Sequence, residues 1–202
     1  GDYITASHYF TTYYNTYPNG TFTELARFHS GKALFLDTPE PRLDQSSTYR
    51  AISELQMFME YFPDSKRKTE AQLMIFGLQD KLVMKDYLTA KLYYDLGTYT
   101  GNASYTADMR INGNNFQACI TTAQNALKDY PYTSMREEIS ILLLRAKHKL
   151  GSESVLDKKE ERMRETIDEY FAFKNEFPES KYMKEVEEIY KDASKYVKEL
   201  NE

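Results

Sequence analysis

The chain has 202 residues, of which 41% are hydrophobic and 28% are charged, with only eight glycines and six prolines. This composition excludes a disordered chain and favours a helix-rich globular protein. The formal net charge of −5 argues against a nucleic-acid-binding protein, which would need a basic surface. No apolar run approaches the roughly 20 residues that a membrane-spanning helix needs.

Apolar periodicity, capping residues and helix breakers predict about nine helices. They cover residues 3–17, 21–36, 48–62, 66–84, 86–99, 114–130, 134–150, 158–177 and 181–200. The division of 66–99 stays open, because its second half could close one helical pair or begin the next. Residues 37–47 are expected to form a proline-bearing loop. Residues 100–115 lack a helical stripe and are expected to form an exposed loop, either a surface insertion or a binding element.

An aromatic–proline pair follows four of the predicted helices. Proline ends a helix because it lacks the backbone N–H and disfavours helical geometry in the residue before it. The pairs are Tyr17-Pro18, Phe62-Pro63, Tyr130-Pro131 and Phe177-Pro178. The residue twelve positions before each proline is small, so a second helix can approach closely; these residues are Ala6, Ala51, Cys119 and Thr166. This recurrence indicates a helix–turn–helix repeat.

The spacing of the four turns identifies the repeat class. The prolines are 45, 68 and 47 residues apart, and the tetratricopeptide period is about 34 residues. The middle gap is two such periods, and the outer gaps are one period with a long turn. We therefore expect an all-α tetratricopeptide-repeat solenoid of antiparallel helices, spanning 1–202 as one domain. Because Gly1 fits a repeat turn, we also expect that the chain begins inside a repeat and that part of the natural protein lies upstream.

Residues suited to chemistry are few. The three histidines do not have the spacing of a zinc motif, and Cys119 occupies a packing position without an adjacent base. No catalytic residue, cofactor or metal site is predicted. Aromatic residues outside the repeat register are expected to be exposed and to suit a peptide or a partner domain. These are Tyr9, Tyr14, Phe22 and Tyr132.

Two long stretches combine these turns with further motifs. They are AISELQMFMEYFPDSKRKTEAQLMIFGLQDKLVMKDYLTAKLYYDLGTY (51–99) and NFQACITTAQNALKDYPYTSMREEISILLLRAKHKL (115–150). Their motifs are, in order, an aromatic-Pro-x-Ser turn, a DKL…K-x-Y segment, an A-x-x-YY…G-x-Y segment and an L-x-DYP-x-T turn. In this order they resemble the BamD (YfiO) family of outer-membrane assembly lipoproteins. The family's signal peptide and lipidated cysteine are not in this sequence, and ASYTADMRINGN (103–114) resembles an insertion.

The resemblance implies a non-enzymatic scaffold on the periplasmic face of the outer membrane, held there by a lipid anchor upstream of this sequence. Its implied partners are the periplasmic domains of a BamA-like barrel-assembly subunit and unfolded outer-membrane protein clients. The alternative is a tetratricopeptide adaptor for another envelope or cytoplasmic complex.

Repeat geometry supplies candidate binding residues along the expected groove. In the N-terminal half these are Phe22, His29, Lys32, Arg67 and Met74. In the C-terminal half, where the resemblance implies docking of the BamA-like subunit, they are Arg145 and Lys149.

Overall fold

The structure is a computed structural model that describes residues 1–98 and 114–199. Within these ranges the regular elements are eight α-helices and no strands, which confirms the all-α repeat fold. The helices are α1 (Tyr3–Thr16), α2 (Thr23–Asp37), α3 (Ser46–Tyr61), α4 (Lys68–Leu96), α5 (Asn115–Asp129), α6 (Arg136–Ser152), α7 (Leu156–Glu176) and α8 (Met183–Glu199). Two compact units divide the chain: unit 1 is Gly1–Lys85 and unit 2 is Asp86–Glu202.

The helix count corrects one expectation. The predicted helices 66–84 and 86–99 are a single helix, α4, so the described residues contain eight helices and not nine. No glycine or proline occurs from residue 78 to residue 96, and nothing in that segment interrupts the backbone hydrogen bonds. α4 ends at Gly97, whose φ of +55° is the left-handed conformation that glycine adopts readily at a helix end.

The aromatic–proline turns have the same backbone geometry at all four positions. The residue before each proline has φ between −126° and −129° and ψ between 62° and 71°, and its N–H bonds to the carbonyl four residues back. The Ser or Thr after the proline does not cap the next helix directly. In three of the turns its hydroxyl accepts a bond from the N–H two residues later, as Ser65 does from Arg67 and Ser180 does from Tyr182. The four sequence motifs are therefore one repeated turn.

Two of these turns are joined by side chains to the preceding hairpin of the same unit. In unit 1, Ser65 donates a 2.6 Å hydrogen bond to Glu24 in the first turn of α2. In unit 2, Ser180 donates a 2.6 Å hydrogen bond to Glu137 in the first turn of α6. Each unit thus uses the same serine–glutamate pair to join two successive hairpins.

The core of unit 1 lies where α2, α3 and the first half of α4 meet. Phe28 and Phe58 pack edge to face, with ring centroids 5.4 Å apart. The buried cluster consists of Phe28, Leu34, Ala51, Leu55, Phe58, Ala71, Met74, Ile75 and Leu78. In unit 2 the equivalent cluster joins α6, α7 and α8 and consists of Ile141, Leu144, Tyr170, Phe173, Val186 and Ile189.

The small repeat positions are buried in three of the four copies. Ala51, Cys119 and Thr166 are fully buried, as close helix packing requires. Burial, with a smaller contribution from Asp95, raises the pKa of the Cys119 thiol to about 12, so this thiol is a packing group and not a nucleophile. Ala6 is only half-buried, because among the described helices α1 packs mainly against α2.

Candidate binding surfaces

An apolar hollow lies between α1 and α2 in unit 1 and contains two of the predicted binding residues, Phe22 and His29. The hollow has a volume of about 230 Å³. We call it the aromatic hollow. It is lined by Tyr9, Phe10, Tyr13, Phe22, Leu25, Ala26 and His29. Tyr9 and Phe22 at its edge keep 70% and 60% of their surface exposed. Exposed aromatic rings beside an apolar hollow are suited to contact with a partner.

His29 closes the aromatic hollow on the α2 side. Its ring stacks on Phe10 at 5.5 Å and meets the edge of Phe28 at 5.4 Å. Burial, and secondarily the charges of Lys32 and Arg67, lowers the pKa of His29. The imidazole is therefore held in its neutral form at neutral pH, which keeps the hollow apolar.

Arg27 of α2 connects α1 and α3 beside this hollow. Its guanidinium lies between the rings of Tyr14 and Tyr61, 4.2 Å and 4.1 Å from their centroids. The Tyr14 hydroxyl donates a 2.8 Å hydrogen bond to Glu54. Tyr14 is buried, so the expectation that it is exposed was wrong, whereas Tyr9, Phe22 and Tyr132 are exposed. Tyr14 is buried because it links α1 to α3, a contact between helices that are not neighbours in sequence.

Lys32 and Arg67 lie in ion pairs within unit 1. Lys32 on α2 contacts Glu70 on α4 at 2.7 Å. Arg67 contacts Glu24 at 3.4 Å and lies over the Phe28 ring. Both cations are partly exposed, so such pairs contribute little to stability. The two ion pairs connect α2 with the start of α4. The exposed sides of Lys32 and Arg67 remain accessible to a partner.

Met74 lies in the core of unit 1 and not on a groove. Only 8% of its surface is exposed, and it packs in the cluster with Phe28 and Leu78. The expectation that Met74 lines a groove was wrong, because α2 and α3 cover the face of α4 on which Met74 lies. The neighbouring Leu73 and Phe76 are the apolar residues that this part of α4 exposes.

Arg145 and Lys149 differ in their availability in unit 2. Arg145 on α6 makes two hydrogen bonds of 2.6 Å with the Glu185 carboxylate on α8 and lies 5.4 Å from the Tyr182 ring. These hydrogen bonds raise the pKa of Arg145 and lower the pKa of Glu185. Arg145 and Glu185 occupy the repeat positions of Lys32 and Glu70, fourteen and seven residues after their prolines. Lys149 is exposed near the end of α6.

Sequence reasoning found part of the aromatic hollow. Phe22 and His29 were named because of their repeat positions. The other lining residues were not named as binding residues, although Tyr9 was expected to be exposed and to suit a partner; they are Tyr9, Phe10, Tyr13, Leu25 and Ala26. The signal that could have found Tyr9 and Tyr13 is their spacing by four residues, which places both on one face of α1. No sequence pattern marked Arg27 as a residue that connects helices, because the rings that contact it, Tyr14 and Tyr61, lie on two other helices.

The described residues contain no group of His, Cys, Asp and Glu side chains that could hold a metal ion. None of the described helices combines the length and the apolar character of a membrane-spanning segment. The expected loop at 100–115 lies almost entirely outside the described residues; Asn114 caps α5 by accepting from the N–H groups of Phe116 and Gln117.

The sequence matches a known protein family. The model of the YfiO family of outer membrane lipoproteins matches residues 1–162, which include α1 to α6 and the first part of α7. The chain belongs to this family. Membership supports a general role in outer-membrane assembly and an association with the cell envelope for this YfiO-family protein. No curated protein matches the chain.

Proposed function

We propose that this YfiO-family protein is a non-enzymatic scaffold subunit of the outer-membrane β-barrel assembly machinery. In this role it binds the periplasmic domains of a BamA-like subunit and segments of unfolded outer-membrane proteins, on the periplasmic face of the outer membrane. The observation that carries the proposal is the family match over residues 1–162. Repeated helical hairpins suit the role, because they offer extended binding surfaces.

The aromatic hollow of unit 1 is the proposed contact for client segments. Strands of outer-membrane barrels alternate apolar and polar residues and carry aromatic residues near the membrane interfaces. An exposed apolar hollow edged by Tyr9 and Phe22 can accept one such side chain. Aromatic anchors of this kind supply most of the affinity of many interfaces.

The surface of α6 and α8 in unit 2 is the proposed contact for the BamA-like subunit. Lys149 is exposed there and is available to an acidic partner. Arg145 is already bound to Glu185, so its proposed contribution is to hold α6 against α8 and to present that surface. The charged residues of this surface should affect mainly the rate and the specificity of association with the BamA-like subunit.

A peptide-binding experiment tests the client half of the proposal. Peptides copied from the terminal strands of outer-membrane proteins of the same organism should bind the purified chain, and Phe22→Ser should weaken binding about tenfold or more, as loss of an aromatic anchor does. Tyr132→Ser is the matched control, because Tyr132 is an exposed aromatic residue in unit 2, outside the hollow. Equal affinities of the wild type and Phe22→Ser would remove the hollow from the proposal.

A further inference from the structure

A second concave surface lies in unit 2 and differs in chemistry from the aromatic hollow. It encloses about 500 Å³, within the range of ligand sites in proteins. Its lining comes from the second half of α4, the start of α5, and α7. We call this surface the polar groove. It is lined by Tyr93, Asn114, Gln117, Ala118, Thr121, Thr122 and Arg162.

The uncharged side chains of the polar groove can form hydrogen bonds with a peptide main chain. Gln117 offers an amide, and Thr121 and Thr122 offer hydroxyls. The Thr121 hydroxyl donates to the Gln117 carbonyl at 3.0 Å, which leaves its oxygen free to accept from a ligand N–H. From Asn114 to Thr122 the helix rises about 12 Å at 1.5 Å per residue. About four residues of an extended chain have the same length.

The described lining lacks the large aliphatic side chains that hold an amphipathic helix. Ala118 and the ring of Tyr93 are the apolar residues among those described, whereas helix-in-groove recognition needs several large apolar pockets at helical spacing. Tyr93 can pack against a peptide plane with little loss of conformational entropy. The polar groove therefore fits an extended segment better than a folded helix.

Arg162 gives the polar groove a positive charge. Its guanidinium donates a 2.5 Å hydrogen bond to the Ser154 hydroxyl, and no carboxylate within the described ranges is paired with it. Arg164, two residues further along α7, is instead paired with Glu160 on its own helix. None of the described residues that line the groove is acidic. A guanidinium binds a carboxylate with two parallel hydrogen bonds, and such charged bonds are stronger than neutral ones.

We propose that the polar groove binds an extended segment of a partner protein, with an Asp or Glu side chain of that segment paired to Arg162. Main-chain hydrogen bonds to α5 tolerate many sequences, and Arg162 selects those with an acid at one position. This site is separate from the aromatic hollow of unit 1 and from the Lys149 surface. It gives unit 2 a charge-selective peptide site that the scaffold role does not require.

Two peptide libraries test this inference on the purified chain by fluorescence anisotropy. Both are N-acetylated and C-amidated with random flanking residues; one has a fixed central glutamate and the other a fixed central glutamine. The wild type should prefer the glutamate library. Arg162→Gln should lower affinity for that library about tenfold, as loss of a charged hydrogen bond does, and should leave the glutamine library unchanged.

Three variants separate recognition from folding. Arg164→Gln removes a nearby charge that already has a partner, and it should keep the preference for glutamate. Ser154→Ala removes the structural hydrogen bond of Arg162 and should also keep that preference. Arg162→Lys keeps the charge without the two-pronged geometry and should bind the glutamate library with intermediate affinity. A thermal melt of each variant shows that unit 2 remains folded.

Three results would overturn the inference. One is a wild type that binds both libraries equally, and another is an Arg162→Gln protein, folded in the melt, that still prefers glutamate. The third is binding that appears only when the peptides end in a free carboxylate, which would assign the groove to chain termini. Because the libraries contain no barrel-subunit sequence, these results are independent of the scaffold proposal.

Discussion

Leu55 of α3 packs directly on Gly31 of α2. A Cβ on residue 31 would lie 2.7 Å from Leu55 Cδ2 and 3.0 Å from Leu55 Cγ, and Leu55 is fully buried. The backbone of α2 and the side chain of Leu55 therefore come close only because residue 31 lacks a side chain. This contact joins the first hairpin of unit 1 to the second.

Alanine substitutions at two glycines measure the importance of that close approach. Gly31→Ala must displace the buried Leu55, and overpacking of this kind costs about 1–3 kcal/mol. Gly77→Ala is the matched control within unit 1, because its new Cβ would meet only Phe35 Cε2 at 3.9 Å. Both substitutions gain about 1 kcal/mol of helix propensity. In chemical denaturation, Gly31→Ala should be the less stable of the two by about 1–3 kcal/mol, and equal stabilities would contradict the packing described.

The small position twelve residues before each turn proline gives a second test. Ala51→Leu would place a large side chain where Ala51 is fully buried, and it should lower the free energy of unfolding by about 1–3 kcal/mol. Ala6→Leu changes the same repeat position where it is half-buried, and the cost should be clearly smaller. Thermal melts of the two variants compare them directly. If both cost the same, repeat register does not decide how closely the helices pack.

Much of the fold was predictable because its signals are local. Each aromatic–proline turn directly follows, in sequence, the helix that it ends. All four end a helix as predicted. The boundary expected near residue 85 had no local breaker, which is why it was wrong. α4 continues through it, since strong helix formers are enough to extend a helix once it has begun. Whether the repeats form one domain over 1–202 stays a prediction.

The candidate binding residues were harder to predict, because exposure depends on neighbours distant in sequence. Phe22 and His29 line the aromatic hollow, since both face α1. Met74 has an equally regular repeat position, yet α2 and α3 cover it. Arg145 was expected to be available to a partner, but Glu185, 40 residues later, binds its guanidinium. The repeat position of a residue predicts the face of the helix on which it lies. Which residues contact that face depends on the packing of the whole unit.

The Arg145–Glu185 pair should make the stability of unit 2 depend on pH. Its hydrogen bonds lower the pKa of Glu185 from the ordinary value of 4.5, so the folded state favours the ionised carboxylate. The stabilisation is then complete above pH 4.5 and is lost as the pH falls through the lowered pKa. The stability advantage of the wild type over Glu185→Gln should therefore shrink below pH 4.5.

A second background controls this pH measurement. In an Arg145→Gln protein the Glu185 carboxylate has lost its guanidinium partner, so the effect of Glu185→Gln should depend much less on pH. Denaturation of all four proteins from pH 7 to pH 3 completes the double-mutant cycle. An unchanged pH dependence in the Arg145→Gln background would mean that another group lowers the pKa of Glu185.

The scaffold role is tested most directly by equilibrium binding between the purified chain and the purified periplasmic domains of the BamA-like subunit from the same organism. We expect saturable binding that weakens as ionic strength rises, because the proposed contact surface is charged. Lys149→Glu should reduce the affinity while leaving the helical circular-dichroism signal intact, and Lys66→Glu, at an exposed position in unit 1, should not. An absence of binding at every ionic strength tested would contradict the scaffold role.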